Sequence, residues 1–104
     1  MQFLFDSRGR HVANEVNGHL HSPAGKNIGH FLATLGVFID LEGRYLGEVV
    51  RANRLMANRR SPHREAAFCV HGDYGDAGNY GSPRSLRSVG KVAGHDDVPA
   101  DRLE

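Results

Sequence analysis

Three eight-residue stretches of this chain repeat one pattern: Asp6-Ser7-Arg8-Gly9-Arg10-His11-Val12-Ala13, Ser22-Pro23-Ala24-Gly25-Lys26-Asn27-Ile28-Gly29 and Asp40-Leu41-Glu42-Gly43-Arg44-Tyr45-Leu46-Gly47. Each begins with Asp or Ser, whose side chain can accept hydrogen bonds from backbone N–H groups a few residues on. Each has Gly at the fourth position, which suits a type I turn whose exit residue takes positive φ and leads into a hairpin with a bulge. The basic residue after the Gly re-enters a strand facing outward. The aliphatic residue two further on is expected to face inward, and the small residue after it to leave room for a close backbone approach. A unit this short cannot bury its own apolar face, so the copies must pack around a shared centre. The expected fold class is mainly β: pseudo-symmetric β-hairpin repeats around a central axis, with a Gly-rich C-terminal segment.

Strands fall between the turns. Residues 2–6, 10–16, 26–32, 37–40, 44–50 and 54–58 carry the apolar and β-branched content expected of strands. Asn17-Gly18 is a two-residue hairpin signal of the I′ type. It would pair Val16 with His19, but neither resulting face is cleanly apolar, and a longer loop fits as well. Residues 33–36 read as a link. A fourth turn aligns at Asn58-Arg59-Arg60-Ser61 or at Ser61-Pro62-His63-Arg64. No stretch holds a period of 3.6, so little helix is expected.

From Gly72 the glycines recur every third residue, through Gly75, Gly78 and Gly81, and the phase continues over Arg84 and Arg87 to Gly90. This spacing fits an extended, threefold polyproline-II-like path, with Tyr74 and Tyr80 on one side pinning it to the β body. The alternative is a flexible tail. The acidic end either trails in solvent or docks through Val98 and Leu103. The 104 residues then form one domain in three stretches: a repeated body over 1–66, the Gly-periodic segment over 67–94 and the acidic end over 95–104.

Composition narrows the function classes. The single cysteine, Cys69, excludes an internal disulfide and any paired-cysteine zinc site, and reads as a small, partly buried hydrophobe. No apolar run reaches the ~20 residues of a membrane span. The N-terminal stretch meets an acidic residue too early for a secretory signal. A cytoplasmic protein with no membrane partner is expected.

The chain resembles a known family, the four-fold β-flower proteins, small bacterial proteins of largely unassigned function. The resemblance rests on Phe3-Leu4-Phe5-Asp6 with Gly9-Arg10, on Ser22-Pro23 with Gly25 and Asn27-Ile28-Gly29, on Gly36-Val37-Phe38 with Asp40 and Gly43 to Glu48, on Asn53-Arg54-Leu55, on Ser61-Pro62 and on the triplet glycines. It implies β arms around a pseudo-fourfold axis and carries no catalytic residues. Arg84 and Arg87 stand where the family's pattern has glycines.

Three groups of residues could carry chemistry. Arg51, Arg54, Arg59, Arg60 and Arg64 lie in a run without acids and could face phosphates. With a net charge of +1 and no interleaved aromatics, a solvated face or ion pairs to neighbouring arms fit them better. His19 and His21 share one strand face and could ligate a metal, with His11 or His30 completing the set. A histidine with Glu48, Asp40 and Arg44 could form an acid–base group at the centre. No phosphate-binding, dinucleotide, zinc-protease or nucleophile-elbow motif occurs, so no cofactor is expected and an enzyme is not the leading reading. The leading reading is a binding or protein-interaction module, meeting a partner protein or a second copy through exposed strand edges. Nucleic-acid binding through the Arg51–Arg64 cluster is the alternative.

Overall fold

The computed structural model of the chain describes residues 1–68, 75 and 80–104. It holds eight strands: β1 (Gln2–Phe5), β2 (His11–Val16), β3 (His19–His21), β4 (Asn27–Leu32), β5 (Val37–Asp40), β6 (Tyr45–Val50), β7 (Arg54–Asn58) and β8 (His95–Asp97). Each pairs antiparallel with the next, and β1 meets β7 in parallel at Phe5 and Arg54, which closes β1–β7 into a seven-strand barrel. A 3₁₀ turn, Ala100–Leu103, is the only helical element among the described residues.

The turn repeat accounts for this closure. Gly9, Gly25 and Gly43 each donate N–H to the carbonyl of the Asp or Ser that opens the turn, at 2.9–3.1 Å. All three glycines hold positive φ (84°, 97° and 84°), where a Cβ would be strained. The side chains lock the turns: Asp6 Oδ1 accepts from the N–H of Arg8 and Arg10, Asp40 Oδ1 from Glu42 and Arg44, and Ser22 Oγ from Lys26.

Beyond each turn the register slips by one residue at the same place. Leu4, Leu20 and Phe38 oppose Ala13, Gly29 and Gly47, while Phe5, His21 and Ile39 oppose His11, Asn27 and Tyr45. Val12, Ile28 and Leu46 are therefore the extra residues of three equivalent β-bulges, which bend and twist the strand as a small barrel requires. Ile28 and Leu46 join the core, and Val12 packs against it. The small neighbours are needed because backbone crosses there. A Cβ on Gly47 would sit 2.7 Å from the Met56 carbonyl oxygen, and one on Gly29 would collide with the Ile39 carbonyl.

One residue from each barrel strand enters the core: Leu4, Ala13, Leu20, Ile28, Phe38, Leu46 and Leu55, joined by Val98 and Leu103 from the C-terminal end. The acidic end therefore docks. β8 lies along β7 with Asn58 opposite His95, the place a returning strand would take after a fourth turn. That turn is Asn58–Ser61, with Ser61 N–H on Asn58 O and Arg60 N–H on Asn58 Oδ1. A second turn, Ser61–Arg64, follows at once, so both alignments of the fourth copy are realised in tandem. Instead of returning, the chain leaves, and residues 95–97 supply the missing strand. The Asp97 carboxylate fastens β8 to the first turn, accepting Ser7 N–H and Oγ–H at 2.7 Å each.

Val16 does pair with His19, with Asn17 and Gly18 both at positive φ, so the short I′ loop is the one formed. The link at 33–36 closes as a hydrogen-bonded turn, with Gly36 N–H on Leu32 O at 2.8 Å. The free edge expected of the last arm is paired, because β7 meets β1 at Arg54 and β8 at Met56, Ala57 and Asn58. At Gly75, Gly81 and Gly90, described glycines of the Gly-periodic segment, φ is 91°, 84° and 68°, opposite in sign to polyproline II. Tyr80 is exposed. Cys69, Gly72, Tyr74 and Gly78 lie outside the described residues. Residues 86–89 cross the first turn as a strap, with Leu86 N–H on Gly9 O and Val89 N–H on Ser7 O. Among the described residues no helix is long and apolar enough to cross a membrane.

Candidate functional site

The two ends of the barrel differ. One end carries the four Asp/Ser/Asn turns and is capped by the C-terminal 3₁₀ turn. There Leu103 is buried in the core, and Arg102 Nη2 donates to Asp40 Oδ2 and Tyr45 O at 3.2 and 3.1 Å. The other end carries the short connections 17–18, 33–36 and 51–53 and stays open. A cleft of about 320 Å³ enters it, lined by Gln2, Glu15, Phe31, Gly36, Phe38 and Val49.

The alternation of the strands places these groups. Gln2 and Glu15 are cross-strand partners, as are Phe31 and Phe38, and each pair lies on the barrel-facing side of its strands toward the open end. The Phe31 and Phe38 rings are 4.9 Å apart and inclined by 47°, forming one apolar wall. Glu15 Oε1 accepts Gly18 N–H at 2.7 Å, which fixes the carboxylate against the β2–β3 turn. Gln2 Nε2 donates to Asn53 Oδ1 at 2.7 Å and ties β1 to the β6–β7 connection. Met1, Leu35 and Val49 are exposed around this end, at 53%, 43% and 39%.

The arginine run is not one surface. Arg51 is exposed in the 51–53 connection at the open end, whereas Arg59, Arg60 and Arg64 are exposed beyond the far end of β7. At ~3.3 Å per residue, the five residues of β7 set the two groups apart by roughly 17 Å or more. Arg59 pairs with Asp96 at 3.4 Å, and Arg64 Nη1 donates to Arg59 O. Arg54, expected on the same solvent-facing patch, is 2% exposed. It stands at the seam opposite Phe5 and Val50, and its guanidinium donates to the carbonyls of Ala52 and Arg87. The strap over the seam takes the place of solvent, so Arg54 cannot reach a phosphate.

The histidine pair that forms is His19 with His30, directly opposite on β4, with Nδ1 atoms 3.0 Å apart and rings nearly perpendicular. One ring donates and the other accepts, which occupies both nitrogens with a proton between them. His21 lies further along β3 between Asn14 and Asn27 and is buried, its Nδ1 without a hydrogen-bond partner among the described residues. His11 packs against Phe3 and Phe5 and bonds Asn14 Oδ1 at 2.6 Å. Among the described residues no three His, Cys, Asp or Glu side chains are gathered to hold a metal.

Asp40, Arg44 and Glu48 are not brought together at the centre. Asp40 caps its turn, and Arg44 pairs with Glu42 in solvent at 3.3 Å. Glu48 meets His95 Nε2 at 3.4 Å and Tyr45 Oη at 3.5 Å. His95 also bonds Ala93 O through Nδ1 at 2.9 Å, so both ring nitrogens are engaged. Burial pushes the Tyr45 phenol above its usual range. The Asn58 N–H that it accepts opposes this, and the nearby Glu48 carboxylate adds to it. The cluster ties β6, β7 and β8 together and leaves no ring nitrogen available to a substrate. Sequence reasoning did not single out His95 or Glu15. Glu15 sits two residues before Asn17-Gly18 in a loosely alternating strand, a placement that becomes meaningful only once the barrel closes.

No family model, no curated protein and no solved structure matches the chain.

Proposed function

We propose that this chain is a binding module that engages a partner protein through the open end of its barrel. The observation that carries the reading is the asymmetry of the two ends. The turn end is capped by the chain's own Leu103 and Arg102, while the open end keeps a cleft with both polar and apolar lining, ringed by exposed Met1, Leu35 and Val49. Barrel mouths are common places for ligands, because loops vary there while the strands stay fixed. The resemblance to the four-fold β-flower family agrees with the four turns opened by Asp6, Ser22, Asp40 and Asn58, and we include membership of that family in the proposal.

The test is capture from nuclease-treated lysate by the immobilised full chain, beside a Leu35→Asp/Val49→Asp double variant and a Leu86→Asp control on the strap. A protein retained by the parent and the control but lost by the double variant supports the reading. Retention that the double variant shares with the parent overturns it. Nucleic acid retained without nuclease and released by salt would instead support the alternative at the Arg59–Arg64 corner.

A further inference from the structure

We propose that the open-end cleft seats an aliphatic ammonium group, the side chain of a lysine on the partner protein. The inference rests on the open-end reading and adds the chemistry that the site recognises. The lining offers acceptors and aromatic carbon, with no cationic side chain. Glu15 spends one carboxylate oxygen on Gly18 N–H, and its other oxygen has no partner among the described residues. Gln2 spends its amide nitrogen on Asn53, which leaves its oxygen as a second acceptor. Phe31, half-buried and backed by the buried Phe38 ring, supplies an apolar wall that can cover a methylene stem and attract a cation.

A ligand that fills this cleft must bring a donor and a positive charge. A purely apolar occupant would strip water from the Glu15 carboxylate and return nothing, which is costly. An anion would meet that carboxylate with like charge. Between the two long cations, the geometry favours lysine. Arginine binds carboxylates best through two parallel bonds to both oxygens, and here one oxygen is already held by Gly18. An ammonium is a compact point charge that needs only one oxygen and can place a further donor on Gln2. The apolar rim of Met1, Leu35 and Val49 extends beyond the cleft, surface that a partner protein would cover and a free small amine would not.

The experiment is a titration of the isotope-labelled full chain, followed by backbone amide shifts, with N-acetyl-lysine methylamide at low ionic strength. The norleucine and arginine counterparts serve as comparisons. Norleucine keeps the four-carbon stem and lacks the charge. The expected result is saturable shifts at Gly18, Phe31, Gly36 and Val49 with the lysine probe, and binding at least tenfold weaker for norleucine. Glu15→Gln, which keeps an oxygen for Gly18 N–H, should bring the lysine probe down to the norleucine level while the rest of the spectrum stays in place. Equal binding of lysine and norleucine, tighter binding of arginine, or no shifts with any probe would each overturn the inference. The last outcome, with capture still dependent on Leu35 and Val49, would remove the lysine and leave the open-end reading standing.

Discussion

Replacing Gly47 by alanine adds one methyl group where the barrel wall passes itself. The new Cβ would lie 2.7 Å from the Met56 carbonyl oxygen and 3.2 Å from Val98 Cγ2. An ordinary carbon–oxygen contact is over half an ångström longer, and the oxygen belongs to the backbone of β7, so the strand must move and cannot simply rotate a side chain. Overpacking of this kind costs about 1–3 kcal/mol. The displacement also pushes Val98, which anchors the docked C-terminal end, so the upper part of that range is expected. Gly29→Ala is more severe, because its Cβ would overlap the Ile39 carbonyl. The comparison that isolates sterics is Gly18→Ala, where nothing lies within 4 Å but φ is 85°. Left-handed strain alone should cost about 1–2 kcal/mol there. Urea denaturation followed by far-UV circular dichroism measures all three. The expected order of destabilisation is Gly29 over Gly47 over Gly18. A Gly29→Ala or Gly47→Ala variant within about 0.5 kcal/mol of the parent would refute the close crossing, and with it the three-bulge account of the barrel.

Other perturbations test separate joints. Asp97→Ala removes the acceptor of both Ser7 groups and should cost about 1–3 kcal/mol; faster amide exchange at residues 95–97 and 103 should accompany it, and unchanged exchange would argue that β8 is held otherwise. Ala52 holds φ of 55° without being glycine, so Ala52→Gly should raise the urea midpoint, by about 1 kcal/mol in stability, and a lowered midpoint would count against that conformation. Because the Tyr45 phenol is raised in the folded chain, its contribution is fully present below the ordinary tyrosine range near 10 and is lost as pH rises through the folded value. The phenolate absorbance that disappears in Tyr45→Phe should therefore titrate above the ordinary range, and a difference titration at or below it would contradict the burial of that hydroxyl.

Much of the barrel was legible because its devices are local. Asp6, Ser22 and Asp40 with their glycines specify turns that need no tertiary help, and the small residues Ala13, Gly29 and Gly47 announce a close approach before any partner is known. The fourth unit was legible only in part. Leu55 enters the core three residues before its turn, where Leu4, Leu20 and Phe38 enter two before theirs, so the apolar phase is broken in β7. The His95-Asp96-Asp97 strand has no β character of its own; the open edge of β7 and the Ser7–Asp97 bonds impose it. Arg54 read as surface because nothing local distinguishes it from Arg59. Its burial follows from the seam between β1 and β7 and from a strap more than thirty residues further along the chain. The candidate site was hidden for a related reason. Gln2, Glu15, Phe31 and Val49 are neighbours only through closure, and no spacing in the sequence links them.

The central claim is that the open end is the working surface. The most direct measurement is hydrogen–deuterium exchange of the full chain alone and with the protein it captures. The account predicts new protection at residues 15–18, 31–36 and 49–53, with residues 40–44 and 58–64 at the capped end unchanged. Protection confined to the capped end, or spread evenly over the barrel, would contradict it.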